Sequence, residues 1–354
     1  MRQQGHSFVT LDGLRGVAAL AVVMFHGDPY FVPFAVSEGY LAVDFFFALS
    51  GFVLAYAYTQ RLRQDMSTLT FLQLRVVRLY PLYILGTAFG LLSLLPHPPD
   101  WAFSNFPINL VAAVLFLPSP GSIIFFPFNH PLWSLFHELV ANVAFAALSK
   151  RLSRALLCAI VTISAVLLIE EARWWGTLDS SNGWENWAGG FIRVSFSFFA
   201  GVLLYRIWQK RPAPVNLPAP FLGLVLLAVL SFPVPNNHEG IYDTCVVLVA
   251  FPLLLWFGAS SKPSRPIASV CSWMGNVSYA MYVLHWPMIL TAAALHMPEE
   301  LPWGALLFVA IALAADGATR FFDRPVRRWL MVRLHLDTRA KLTVNATAQE
   351  RAVQ

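Results

Sequence analysis

Charge is scarce in this chain. Asp, Glu, Lys and Arg make up 12% of its 354 residues, about half the roughly 25% of an ordinary soluble domain. Cysteine is scarcer still. Cys158, Cys245 and Cys271 lie in or beside apolar stretches and show no C-x-x-C spacing. That pattern argues against a disulfide scaffold and a zinc site, and it suggests no metal. No Ser- or Gly-rich linker and no internal repeat is visible. What is abundant is apolar: 57% hydrophobic residues, 14% aromatic, and a mean hydropathy of +0.60. This composition excludes a disordered chain, a coiled coil and an ordinary soluble enzyme. It points to an all-α, polytopic membrane bundle.

A bilayer core needs about 20 apolar residues per helix. Ten stretches qualify, at about 9–26, 39–58, 76–95, 132–149, 154–170, 190–208, 218–235, 241–258, 276–295 and 303–322. An eleventh run, Ile108 to Leu117, lies between Pro107 and Pro118. It is too short to cross and reads as a re-entrant or interfacial segment. Asp12 and Arg15 interrupt the first stretch, which therefore reads as a retained span rather than a signal peptide. Basic residues test the count. With both termini inside, every one of the 24 Lys and Arg residues falls on the inner side except Arg15, Arg173 and Arg193. Positive charge is held on the cytoplasmic side during insertion, so the split favours ten spans and cytoplasmic ends. The expected organisation is a membrane domain over 1–335 and a polar cytoplasmic tail over 336–354. The net charge of +5 is spread along the inner face as a topology signal, which leaves no role for nucleic acid.

Ionisable groups inside a membrane are costly and mark pathways or reaction sites by default. Arg15 and His26 are eleven residues apart, close to three helical turns, so both lie on one face about 16 Å apart along the axis. Asp12 shares nearly the same stripe. Asp44 opens the second span and is followed by Ser50-Gly51, small residues that also suit close helix packing. Arg75 and Arg78 stand three apart at the inner mouth of the third span and face the same way. Two guanidinium forks suit a phosphate, although the same pair serves as a topology anchor. The fourth span begins Pro131-Leu132-Trp133-Ser134, with Glu138 at a depth close to that of His26 and Asn142 one turn further in. The ninth carries Tyr282 and His285, with Pro287 expected to kink the helix.

Taken in order, these segments resemble the acyltransferase 3 family of membrane O-acyltransferases, whose members acetylate bacterial surface polysaccharides. The likeness rests on Leu11-Asp12-Gly13-Leu14-Arg15-Gly16 with His26 completing R-x10-H, and on Asp44-Phe45-Phe46 leading to Ser50-Gly51-Phe52. It continues through Arg75-x-x-Arg78, Trp133-Ser134-Leu135-x-x-Glu138, Ser278-Tyr279 to His285-Trp286-Pro287, and Phe322-Asp323-Arg324-Pro325. Many relatives carry a second acid where Leu139 stands here, and some add a soluble esterase-like domain that is not read in this chain.

The resemblance implies an acyl-CoA donor, usually acetyl-CoA, arriving from the cytoplasm as co-substrate, with no bound cofactor. It also implies an acceptor hydroxyl on a carbohydrate or glycolipid at the outer face of the bacterial inner membrane. A hydroxyl needs a base, and an imidazole titrates near operating pH. His26 takes that role, with Glu138 expected to orient it and Asp44 as the second candidate. Arg75 and Arg78 are expected to hold the coenzyme phosphates, and Arg15 to help them or to anchor Asp12. Asp12, Trp133, Ser134, Asn142, Tyr282 and His285 are assigned to the substrate-binding path. A covalent relay through Ser50 or Ser134 is an alternative chemistry, although no GxSxG elbow is present. Two further alternatives are acylation of a macrolide or other small metabolite, and a proton-coupled transporter, which inverted repeats would reveal. Oligomeric state is not legible.

Overall fold

A computed structural model describes residues 8–34, 36–235 and 237–336. Arg2, Arg339, Lys341 and Arg351 of the charge count, and the expected tail beyond Leu336, lie outside the described residues.

The described residues are helical, with a single isolated bridge between Ile124 and Gly183 and no strands. They form α1 (Val9–His26), α2 (Ala42–Gln64), α3 (Thr68–Leu94), α4 (Phe106–Val114), α5 (Trp133–Leu148) and α6 (Arg154–Trp175). After these come α7 (Trp187–Trp208), α8 (Ala219–Leu230), α9 (Glu239–Ser260), α10 (Arg265–Ala294) and α11 (Leu301–Arg333). Side-chain caps set some of the starts. The Ser67 hydroxyl accepts from Thr70 N ahead of α3, and Ser153 accepts from Leu156 N ahead of α6, satisfying amides that have no partner within the helix.

Nine of these helices are long and apolar enough to cross a bilayer. The stretch expected at 218–235 is different. Its helix, α8, has 12 residues, about 18 Å of length against a hydrocarbon core of about 30 Å. Pro218 precedes it and Pro233 and Pro235 follow; proline lacks the N–H that would extend the helix. The segment still joins both levels of the bundle. Beyond α9, Ser261 Oγ donates to Leu217 O and Lys262 N to Asn216 Oδ1. At the other end Leu230 O accepts from Glu38 N, just ahead of α2. The short run at 108–117 is α4, nine residues long. It is strapped to α3 by Tyr80 and Tyr83, whose hydroxyls donate to Val114 O and Ala113 O.

Small residues bring the helices that carry the polar groups together. A Cβ on Gly51 of α2 would lie 1.9 Å from Phe198 O of α7, and one on Gly201 of α7 would lie 2.0 Å from Ala48 O of α2. Only glycine allows backbones to approach so closely. Gly13 and Gly16 of α1 face Cys271 and Met274 of α10 in the same manner. These contacts bring α1, α2, α7 and α10 together around the groups described next. α10 runs on through Pro287 to Ala294.

Candidate active site

A cavity of about 150 Å³ opens between α1, α2, α3, α5 and α10. Arg15, Arg75 and Arg78 line it, with Ser50, Glu138, Ser134, Tyr279 and Tyr282. The expected inner-mouth arginines and the expected acid of α5 are thus brought into one space.

Arg15 Nη2 donates to Asp12 Oδ1 at 2.6 Å and to Gly275 O at 3.0 Å, tying the start of α1 to α10. Arg75 Nη2 donates to Glu138 Oε1 at 2.9 Å, and Ser50 Oγ donates to the same oxygen at 2.7 Å. Arg78 is held more loosely. Its Nη1 lies 3.7 Å from Asp323 Oδ2, which Arg327 already pairs at 2.6 Å, and its guanidinium sits over the Tyr279 ring. Asp323 is buried at 1% exposure in a π-helical turn of α11, Ala318–Asp323, which the sequence pattern marked only as part of a closing motif.

At the other end Tyr282 forms the wall. Its hydroxyl is 2.6 Å from Ser134 Oγ and donates to Pro131 O at 2.8 Å. Its ring packs against His285, centroids 5.7 Å apart. His285 Nε2 in turn lies 3.3 Å from His26 Nδ1, and Trp286 meets His26 edge-on at 5.4 Å. His26 is half-buried and turned toward α10. It is not among the residues that line the cavity.

Neither carboxylate expected to orient His26 reaches it. Glu138 is taken by Arg75 and Ser50, as above. Asp44, fully buried, accepts from Arg193 Nη2 at 2.6 Å and Nε at 3.1 Å and from Ser197 at 3.2 Å. In an apolar interior a carboxylate goes to a guanidinium before a neutral imidazole, because only the ion pair offsets the cost of burying charge. Arg193 spends its other donors on Leu178 O, Ser180 O and Tyr40 O. It locks α2, α7 and the loop after α6 together, and it rests on the Trp133 ring at 5.3 Å. Trp133 accordingly faces this ion pair rather than the cavity. Asn142 is fully buried, neither of its amide atoms has a hydrogen-bond partner, and it does not line the cavity. Arg193 carried no role in the sequence reading, although an arginine in mid-span demands a partner.

A bundle whose described residues include nine helices long and apolar enough to cross a bilayer, enclosing a guanidinium-lined cavity, defines a multi-pass integral membrane protein. Residues 8–315 match a family model described as an acyltransferase domain. The chain belongs to the acyltransferase 3 family, and it is an acyltransferase of the class that moves groups other than aminoacyl groups. It is 40% identical over 186 residues to "Protein 2 in picA locus" of Rhizobium radiobacter, covering 47% of this chain and 94% of that protein. It is 25% identical to the peptidoglycan O-acetyltransferase OatA of Listeria monocytogenes, over 90% of this chain and 56% of that protein. The O-acetyltransferase OatA of Staphylococcus aureus is 23% identical over 90% of this chain and 57% of its own length. The chain thus spans a little over half of these two O-acetyltransferases. No solved structure matches it.

Proposed function

We propose that this enzyme takes an acyl group, acetyl by the example of its relatives, from cytoplasmic acyl-CoA to a hydroxyl of a surface carbohydrate or glycolipid. The acceptor meets it at the outer face of the bacterial inner membrane, and both chain termini are cytoplasmic. The observation that carries this reading is the cavity. It has guanidiniums at one end and, at the other, a tyrosine in contact with the His285–His26 pair. Phosphates favour the guanidinium end, where charge-assisted bonds form. The thioester then lies toward Tyr282.

His26 is the base. As the acceptor oxygen attacks the thioester carbonyl, the hydroxyl proton moves to the imidazole and a C–O bond forms. The C–S bond then breaks, and the imidazolium returns the proton to the leaving thiolate. Glu138 and Ser50 hold Arg75 toward the donor, and Asp44 serves the fold through Arg193. His26→Ala should abolish thiol release from acetyl-CoA in membrane vesicles while the protein still inserts at wild-type levels. Retained turnover in that variant removes the base assignment.

A further inference from the structure

We propose that His285 is the positioning residue for His26, filling with a neutral imidazole the place expected for an acid. This rests on the assignment of His26 as base.

The hydrogen bonds fix the protonation pattern. His285 Nδ1 lies 2.6 Å from Tyr282 O. A carbonyl only accepts, so Nδ1 carries the hydrogen, and the neutral ring leaves a lone pair on Nε2. That lone pair faces His26 Nδ1 at 3.3 Å, and Val22 O, a second acceptor, lies 3.1 Å from the same nitrogen. His26 Nδ1 is therefore the protonated nitrogen. Its Nε2 is left bare, as a base that abstracts a hydroxyl proton requires. When Nε2 gains the proton, His285 Nε2 goes on accepting from Nδ1–H and stabilises the imidazolium.

The geometry also explains why an imidazole serves here. A carboxylate beside His26 would need its own countercharge in a low-dielectric interior. A neutral acceptor orients the base at no such cost in the resting state. Burial holds His285 in place: the residue is 0% exposed, and its ring is fixed between Tyr282 O and His26. The other ionisable side chains at the pair are Tyr282 and, across Trp286, His130, whose ring stacks on that indole at 5.2 Å. Asp44 and Glu138 are committed to guanidiniums.

The test uses the full chain in membrane vesicles, with acetyl-CoA as probe and thiol release as readout. His285→Leu removes the acceptor. It should lower kcat by up to about 100-fold, the cost of a reacting group misplaced by about 1 Å, with the donor KM unchanged. The acid limb of the kcat/KM profile should move to lower pH, because the imidazolium has lost its acceptor. His285→Gln, whose amide oxygen can stand where Nε2 stood, should restore most of the rate and return the limb. A merely structural role lowers the amount of folded enzyme and leaves the limb where it is. Wild-type kcat and an unmoved limb in H285L overturn the proposal, as does an H285Q variant that inserts normally yet matches H285L. If H26A is inactive while H285L is unaffected, only this pairing fails; if H26A stays active, the base assignment itself fails.

Discussion

Asp44 and Arg193 offer a clean separation of scaffold from chemistry. Arg193→Met strands a carboxylate at 0% exposure, whose remaining partner is Ser197 at 3.2 Å. Breaking a buried pair from one side costs about 3–5 kcal/mol. Asp44→Leu leaves the guanidinium with three carbonyls and no carboxylate in hydrogen-bond contact, and a loss of similar size follows. The double variant D44L/R193M removes both charges and recovers the ion-pair share. It does not recover the guanidinium bonds to the carbonyls: Leu178 O keeps Ser180 N and Tyr40 O keeps Ala42 N, so the loss falls mainly on Ser180 O, at about 1–3 kcal/mol for a buried acceptor left unpaired. The double variant should therefore be more stable than either single variant and still about 1–3 kcal/mol below wild type. Unfolding of the purified protein in detergent, followed for all four members of the cycle, measures this directly. Should D44L unfold like wild type and lose only turnover, Asp44 acts in the chemistry and the scaffold reasoning is wrong.

Arg75 and Arg78 should separate in the same way. Arg75→Gln strands Glu138, so stability falls and the donor KM rises; Arg78→Gln leaves Asp323 paired to Arg327, so the donor KM rises with stability close to wild type. Thermal unfolding and acetyl-CoA titration of the two variants check the split. At the loop ahead of α2, burial raises Glu38 above the ordinary glutamate value, assisted by the nearby charges of Glu239 and Asp179. The folded state then holds a proton that the unfolded state has released, so stability falls as pH rises from the ordinary glutamate value through the raised one. Glu38→Gln should flatten that slope in a pH series of unfolding temperatures.

Hydropathy predicted the helical bundle because each span must satisfy its own backbone in lipid. α8 departed from that reading through its flanking prolines, which shorten a helix without changing its mean hydropathy. The common face of Arg15 and His26 followed from helical spacing alone. The partners did not. Asp44 and Arg193 lie 149 residues apart, Arg75 and Glu138 63, and His26 and His285 259. No periodicity reaches across separate helices. Glu138 and Asp44 looked like rivals for one histidine because depth alone was legible; lateral position within the bundle decides which guanidinium each meets. Arg193 had a signal in its mid-span charge, but nothing in its neighbourhood named Asp44.

The pairing of charges follows the cost of burying them. Asp12, Asp44, Glu138 and Asp323 each meet a guanidinium within 3 Å, from Arg15, Arg193, Arg75 and Arg327 in turn. Arg78 is the exception in this set. Its nearest carboxylate is 3.7 Å away and already committed, and 34% of its side chain is exposed. Fixed carboxylates thus offset most, but not all, of the positive charge around the cavity. A phosphate oxygen entering that end meets the charge of Arg78 that no close carboxylate offsets, and gains more there than at an arginine already closely paired. The other end is built from imidazole, phenol and indole, groups that stay neutral at rest. On the proposed mechanism charge appears there only when a hydroxyl gives up its proton, which is when an acceptor on the far nitrogen of His26 has its effect.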